Sequence, residues 1–232
     1  FGNKHKANIN LYDQITLILL SYIFLPLLLG IPYFFGSNNF SFLNSYFESI
    51  SGFTSTGFST INDINFMEQP FLIWRSSTQW IGGLFFLISI ISTLGLKKVK
   101  IKPIYLVTGL YESGNYYKNF FSNSIKILTI YFFTTVIIFI LYILFDIKFF
   151  DAFNLSLTVI SAGGFLTENY LSQIISNKLQ IMILSSTLLL PIFNFFLFFK
   201  IFSFKFKYQD HIEDFYLAFI VILLTTVLYF FF

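Results

Sequence analysis

The chain has no cysteine, only two histidines and little charge of either sign, with Asp, Glu, Lys and Arg together making up 11% of its 232 residues. Without cysteine there are no disulfides, thiolate metal sites or cysteine nucleophiles, although the compartment stays open because membrane proteins often lack cysteine. The histidines, His5 and His211, stand far apart with no partner at metal-ligand spacing and read as solvated surface. No nucleotide-binding glycine loop, Ser-His-Asp set or pair of catalytic carboxylates is present, so the chain is not expected to be an enzyme or to carry a cofactor. A cleavable signal peptide is not visible either. The chain opens on the basic, polar run Phe1-Gly2-Asn3-Lys4-His5-Lys6, and the apolar stretch that follows is long enough to stay in a bilayer.

What is there is apolar. Hydrophobic residues are 56% of the chain and its mean hydropathy is +0.76, values of the membrane class. Since about 20 apolar residues span a bilayer as a helix, five stretches qualify, at roughly 14–35, 70–95, 124–145, 178–201 and 215–232. Between the first and second lies Phe40–Phe53, and between the third and fourth lies Phe149–Ile160. Each is too short to cross and too apolar for an exposed loop, which predicts a re-entrant half-helix.

The expected fold class is therefore all-α integral membrane, built from a unit of helix, half-helix, glycine loop and helix that occurs twice. The first unit covers 1–102 with its loop at 54–59, the second covers 103–207 with its loop at 161–166, and 208–232 begins a third. The letters repeat as well, because Gly57-Phe58-Ser59-Thr60 and Gly164-Phe165-Leu166-Thr167 lie 107 positions apart.

Lysine placement gives an orientation. If the amino terminus is cytoplasmic, the inner segments and the helix ends bordering them hold Lys4, Lys6, Lys97, Lys98, Lys100, Lys102, Lys118, Lys126, Lys200, Lys205 and Lys207, which is 11 of the 14 cations. The other side carries Glu48, Asp63, Glu68, Asp146, Asp151 and Glu168. The positive-inside bias then puts both glycine loops outside, with acidic residues around the mouth to concentrate cations.

A backbone that leaves the helix at membrane depth exposes carbonyls that lipid cannot satisfy, so it persists only where protein or water surrounds it, as in ion selectivity filters. Dehydrating a monovalent cation requires a run of replacement oxygens, and backbone carbonyls supply them where glycine allows unusual angles and small neighbours leave room. Thr54, Ser55, Thr56 and Gly57 in the first loop, and Ser161, Ala162, Gly163 and Gly164 in the second, are the candidate filter residues, for a monovalent cation and no other metal. Arg75 stands about five residues into a membrane helix, where a charge costs about 2.5–3.5 kcal/mol at the centre and less near the interface. It snorkels outward, or pairs with Glu48 or Glu68 and braces the first half-helix behind the filter, or sets the pore's electrostatic barrier. Gly82-Gly83 predicts close helix packing.

A family resemblance rests on these residues. The run Ser51-Gly52-Phe53-Thr54-Ser55-Thr56-Gly57, followed by Trp74-Arg75-Ser76-Ser77-Thr78-Gln79-Trp80-Ile81-Gly82-Gly83, resembles the first pore unit of the Trk/Ktr/HKT potassium transporters, closest to the bacterial Trk membrane subunit. Leu25-Pro26 through Ile31-Pro32-Tyr33-Phe34, Ile130-Tyr131-Phe132-Phe133-Thr134 and Ser161-Ala162-Gly163-Gly164-Phe165 resemble further parts of the first two units. The resemblance implies potassium uptake across the bacterial cytoplasmic membrane through a pore ringed by four such units of one chain. It also implies a homodimer, a cytoplasmic nucleotide-binding regulatory subunit, no nucleic-acid partner, and a potassium preference associated with glycine at Gly57 and Gly164. Ala162 and Leu166 stand where hydroxylated residues are more usual. With two filter loops and the start of a third unit, the sequence reads as a piece of a longer polypeptide. The competing readings are another secondary cation transporter, such as one for sodium, and a truncated membrane remnant that transports nothing.

Overall fold

The computed structural model describes residues 11–36, 40–94, 116–192, 215–217 and 219–224. Every element among them is helical. The first unit opens with α1 (Leu11–Leu29) and the short α2 (Ile31–Gly36), where a single helix over 14–35 was expected. Pro32 explains the interruption, since it has no N–H to offer the Leu28 carbonyl and its ring crowds that oxygen. Hydrogen bonds from Gly30 N–H to the Pro26 carbonyl (2.8 Å) and from Phe34 N–H to the Gly30 carbonyl (3.1 Å) carry the helical pattern across the break.

α3 (Phe42–Phe53) and, in the second unit, α6 (Phe149–Ile160) are the two half-helices, each of 12 residues. At 1.5 Å per residue each is about 18 Å long and cannot cross a hydrocarbon core of about 30 Å. Both of their ends are related by the same 107-position offset as the glycine loops. Ser41 caps α3, its hydroxyl accepting from Asn44 N–H at 3.2 Å. Ser41→Ala is expected to lower stability by about 1 kcal/mol, read as a fall in the thermal unfolding midpoint of the purified protein; an unchanged midpoint would remove the cap from the account.

α4 (Gln69–Leu94) follows a 3-10 turn at Ile64–Phe66, and its 26 residues give a length of about 39 Å. α5 (Tyr116–Leu144) begins eight residues before the expected start near 124, because apolarity marks the span and not the helix, and Tyr116-Tyr117-Lys118-Asn119 extend it. After α6 come the single turn α7 (Leu171–Ile174), then α8 (Lys178–Leu188) and a 3-10 turn at Leu190–Ile192. The far half of the expected span 178–201, most of 208–232 and the inner lysines at 97–102 and 200–207 lie outside the described residues.

Among the described residues, Tyr12–Gly36 and Phe120–Leu144 are long and apolar enough to cross a membrane. Their outer faces carry Leu17, Phe24, Leu28, Phe132, Phe133 and Ile140, all exposed. A contiguous apolar band of that kind is a liability in water and the ordinary lipid-facing surface of a membrane helix.

Both half-helices bury polar residues, Asp151, Asn154, Ser156 and Thr158 on α6 among them, but α6 also packs into an apolar cluster. Ile130, Ile138, Ala152, Leu155, Val159, Ile160 and Leu184 form an apolar core between α5, α6 and α8. The buried face of α3 is instead Ser45, Glu48, Ser49 and Gly52, spaced i, i+3, i+4 and i+7, which is a helical stripe with polar and small residues where apolar ones are usual. Ser45 and Ser49 satisfy themselves by donating to the carbonyls four residues back, at 3.0 and 2.7 Å.

Candidate functional site

Each half-helix runs directly into its glycine loop, so the electronegative carbonyl end of the helix abuts the loop and favours positive charge there. The two loops have one backbone design. Thr54 and Ser161 are the C-caps, and their hydroxyls bond back to the Ile50 and Leu157 carbonyls at 2.7 and 3.0 Å. Next, Ser55 and Ala162 both take the left-handed conformation at φ 53°, which costs a non-glycine residue about 1–2 kcal/mol. Thr56 N–H then bonds the Ser51 carbonyl at 2.9 Å, and Gly163 N–H bonds the Thr158 carbonyl at 2.9 Å. Finally, Ser51 donates its hydroxyl to the Phe58 carbonyl at 2.6 Å, and Thr158 donates to the Phe165 carbonyl at 3.1 Å. All of these pairs are 107 positions apart, so the repeat holds at the level of single hydrogen bonds although few of the letters match.

N–H and C=O point in opposite directions across a trans peptide. With Thr56 and Gly163 N–H turned back to the half-helices, the carbonyls of Ser55 and Ala162 face away from them. Gly57, at φ 80°, holds an angle that favours glycine, and a Cβ there would come within 3.0 Å of the Cα and N of Gly164. The two filter glycines therefore meet.

α4 stands behind both loops, and one face of it does most of the holding. Arg75, Thr78, Gln79, Gly82 and Gly83 recur at i, i+3, i+4, i+7 and i+8. Arg75 is 1% exposed and Glu48 of α3 is 0% exposed, with Arg75 Nε 3.5 Å from Glu48 Oε2. The guanidinium also donates to Ser59 Oγ in the first loop at 3.2 Å and to the Leu166 carbonyl in the second at 3.4 Å, and its carbon lies 4.1 Å from the Phe165 ring centroid. Glu48 Oε1 accepts from Ser59 Oγ (2.7 Å), Thr60 N–H (2.5 Å) and Thr60 Oγ1 (3.2 Å). In the second unit the buried Asp151 accepts from Thr167 Oγ1 at 2.5 Å, and Thr167 is the repeat mate of Thr60.

Gln79 is wholly buried. The amide orientation that satisfies its surroundings has Nε2 donating to Thr158 Oγ1 (3.0 Å) and Oε1 accepting from the N–H groups of Gly164 (3.1 Å) and Phe165 (3.2 Å). The reverse orientation would set an NH2 group against two N–H donors. Gly163 has no Cβ for a local reason, since one would run into this carboxamide. Gly82 and Gly83 let α4 lie close to both half-helix ends: a Cβ on Gly82 would strike the Phe53 carbonyl, and one on Gly83 would lie 2.9 Å from the Ser161 Cβ.

The candidate residues of both loops are thus brought together, with Arg75 and Glu48 behind them. Two sequence expectations need correcting. Glu48 and Asp151, placed at the outer mouth, are buried under the loops and hold loop hydroxyls, because the acidic side chains point along the packed face of each half-helix. Snorkelling of Arg75 is likewise ruled out by its burial. Residues to which sequence reasoning gave no role at the site are Ser51, Ser59, Thr60, Thr78, Gln79, Thr158 and Thr167. The signal that could have found two of them, Thr78 and Gln79, was the helical spacing from Arg75 to Gly83. Among the described residues, no group of three or more His, Cys, Asp or Glu is placed to hold a metal ion.

No family profile matches the chain. It is 29% identical over 163 residues to an uncharacterized cation transporter of Methanocaldococcus jannaschii, covering 70% of this chain and 34% of that protein. It is 25% identical over 205 residues to the Trk system potassium uptake protein TrkG of Escherichia coli, covering 87% of this chain and 42% of TrkG. The chain is similar to the Trk potassium uptake proteins. The crystal structure of the potassium transporter TrkH from Vibrio parahaemolyticus superposes with a TM-score of 0.69 at 22% identity, over 92% of this chain and 42% of TrkH, which establishes the Trk fold for it, all-α and membrane-embedded. The chain spans about a third to two fifths of the length of these three proteins.

Proposed function

We propose that this chain supplies two of the filter loops of a Trk-type potassium uptake transporter, in which backbone carbonyls of residues 54–57 and 161–164 replace the water of a dehydrated monovalent cation. The observation that carries the reading is the shared loop backbone: the same left-handed residue, the same return hydrogen bonds and a glycine at the same place, twice, at facing positions. Two unrelated surface turns have no reason to agree in this way. Further support comes from the half-helix carbonyl ends aimed at the loops and from the rigid α4 backing, because a filter must hold its oxygens at fixed spacing.

In this reading the amino-terminal side is cytoplasmic and the loops open to the outside of a bacterial cytoplasmic membrane, as the lysine distribution suggests. Further pore units complete the ring. A homodimer docked on a cytoplasmic nucleotide-binding regulator completes the assembly, with potassium as cargo and no cofactor.

The test is cation uptake by potassium-uptake-deficient cells carrying the intact transporter. Gly57→Ser and Gly164→Ser are each expected to lower the preference for K+ over Na+ by about tenfold, equivalent to about 1.4 kcal/mol, at unchanged abundance in the membrane. An unchanged preference in both variants would overturn the reading.

A further inference from the structure

We infer that Gln79 is a positioning residue for the second filter loop, fixing from the first unit the direction in which that loop's carbonyls point. The inference rests on the filter reading above and assigns within it a role to a residue outside both loops.

Gln79 Oε1 takes the N–H groups of Gly164 and Phe165 at 3.1 and 3.2 Å. The Gly163–Gly164 and Gly164–Phe165 peptides are trans, so the carbonyls of Gly163 and Gly164 are turned to the side opposite Gln79. Gly163 N–H is already committed to the Thr158 carbonyl at 2.9 Å, which turns the Ala162 carbonyl the same way relative to its own peptide. Three successive carbonyls are thereby presented by three captured N–H groups, two of them captured by one side chain.

That side chain is itself held. Its Nε2 donates to Thr158 Oγ1 at 3.0 Å, and Thr158 Oγ1 donates to the Phe165 carbonyl at 3.1 Å, so Gln79, Thr158 and Phe165 close a ring of hydrogen bonds. Thr158 and Phe165 are 4% and 2% exposed and Gln79 is 0% exposed, which keeps water from replacing any member. Gly163 is needed for the carboxamide to come this close, as the collision of a Cβ there with Gln79 makes plain. Glycine carries no side chain to lock its peptides, so two adjacent glycines in a filter would leave their carbonyls free to flip. Gln79 removes that freedom.

The experiment compares Gln79→Met, close in size but with no donor and only a weak thioether acceptor, Gln79→Glu, which keeps the acceptor, and Gly57→Ser, all in the intact transporter. Two quantities are measured: the K+ over Na+ uptake ratio, and the K+ concentration that protects the purified protein from thermal unfolding. Unpairing two buried N–H groups is expected to cut the ratio, and to raise the protecting K+ concentration, by about tenfold in Gln79→Met, while Gln79→Glu stays within about threefold of the parent. A packing role alone would lower the K+-free melting temperature and leave the K+ dependence where it was. Parent-like K+ dependence in Gln79→Met, alongside an altered ratio in Gly57→Ser, overturns the positioning role and leaves the filter standing. No K+ preference in the parent overturns the filter reading, and this inference with it. If Gln79→Met fails to reach the membrane, Thr158→Val breaks the ring from its other side, and a parent-like ratio there overturns the proposal.

Discussion

Arg75→Met is expected to destabilise the protein by about 3–5 kcal/mol, the range measured when one partner of a buried ion pair is removed and the other is left uncompensated. Glu48 has no route to water, being 0% exposed. In the variant its Oε1 keeps the donors of Ser59 and Thr60, at 2.5–3.2 Å, but Oε2 loses the guanidinium at 3.5 Å, the ion-pair contact that it has. The loss also reaches both loops, because the same guanidinium donates to Ser59 and to the Leu166 carbonyl and covers the Phe165 ring. The second half of the prediction separates charge from contact. Adding Glu48→Gln to Arg75→Met removes the orphaned charge and is expected to recover part of the loss, the non-additivity of coupled residues. Thermal unfolding of the purified protein in detergent micelles reads both. An Arg75→Met protein within about 1 kcal/mol of its parent would mean that the pair does not hold the loops.

The half-helices were legible because two independent constraints met in them. Phe149–Ile160 is apolar enough to be buried and too short to cross, and Phe40–Phe53 repeats that compromise at the same spacing; α6 occupies the first stretch and α3 all but the opening residues of the second. The burial of the acidic side chains was not legible. Glu48 and Asp151 were assigned to the mouth because position along the chain says which end of a helix a residue is near, but only packing says whether its side chain faces lipid, water or a neighbouring loop.

Arg75 was read with Glu48 or Glu68 as a possible partner, but without its neighbours on α4. Its meaning comes from four neighbours on the same face, and Thr78, Gln79, Gly82 and Gly83 look unremarkable until the partners across the interface are known. The matched φ of Ser55 and Ala162 was out of reach for a different reason. A left-handed serine and a left-handed alanine share no letter, and the conformation is imposed by the return hydrogen bonds to the half-helix, not by either side chain.

Gly82→Ala is expected to be the more damaging of two small substitutions made side by side on α4. A Cβ on Gly82 would overlap the carbonyl of Phe53, the last residue of α3, with the Phe53 carbonyl carbon at 2.6 Å and its Cα at 2.8 Å. These are backbone atoms, and the carbonyl cannot swing aside without breaking the end of the half-helix. Relief requires α4 and α3 to part. Since Arg75, Thr78 and Gln79 sit on the same face of α4, separation loosens every contact that α4 makes to the loops at once, so the cost should reach or exceed the about 3 kcal/mol at the upper end of ordinary overpacking. Gly83→Ala meets the Tyr131 hydroxyl at 2.7 Å and the Ser161 Cβ at 2.9 Å. Its nearest obstacle is the tip of a side chain, although Tyr131 is anchored by donating to the Trp80 carbonyl at 3.1 Å, so a cost of about 1–2 kcal/mol is expected. Unfolding midpoints of the two variants, with K+ uptake measured on the same preparations, decide the matter. If Gly82→Ala proves as mild as Gly83→Ala, the close approach of α4 to the first half-helix is not what fixes the loops in place.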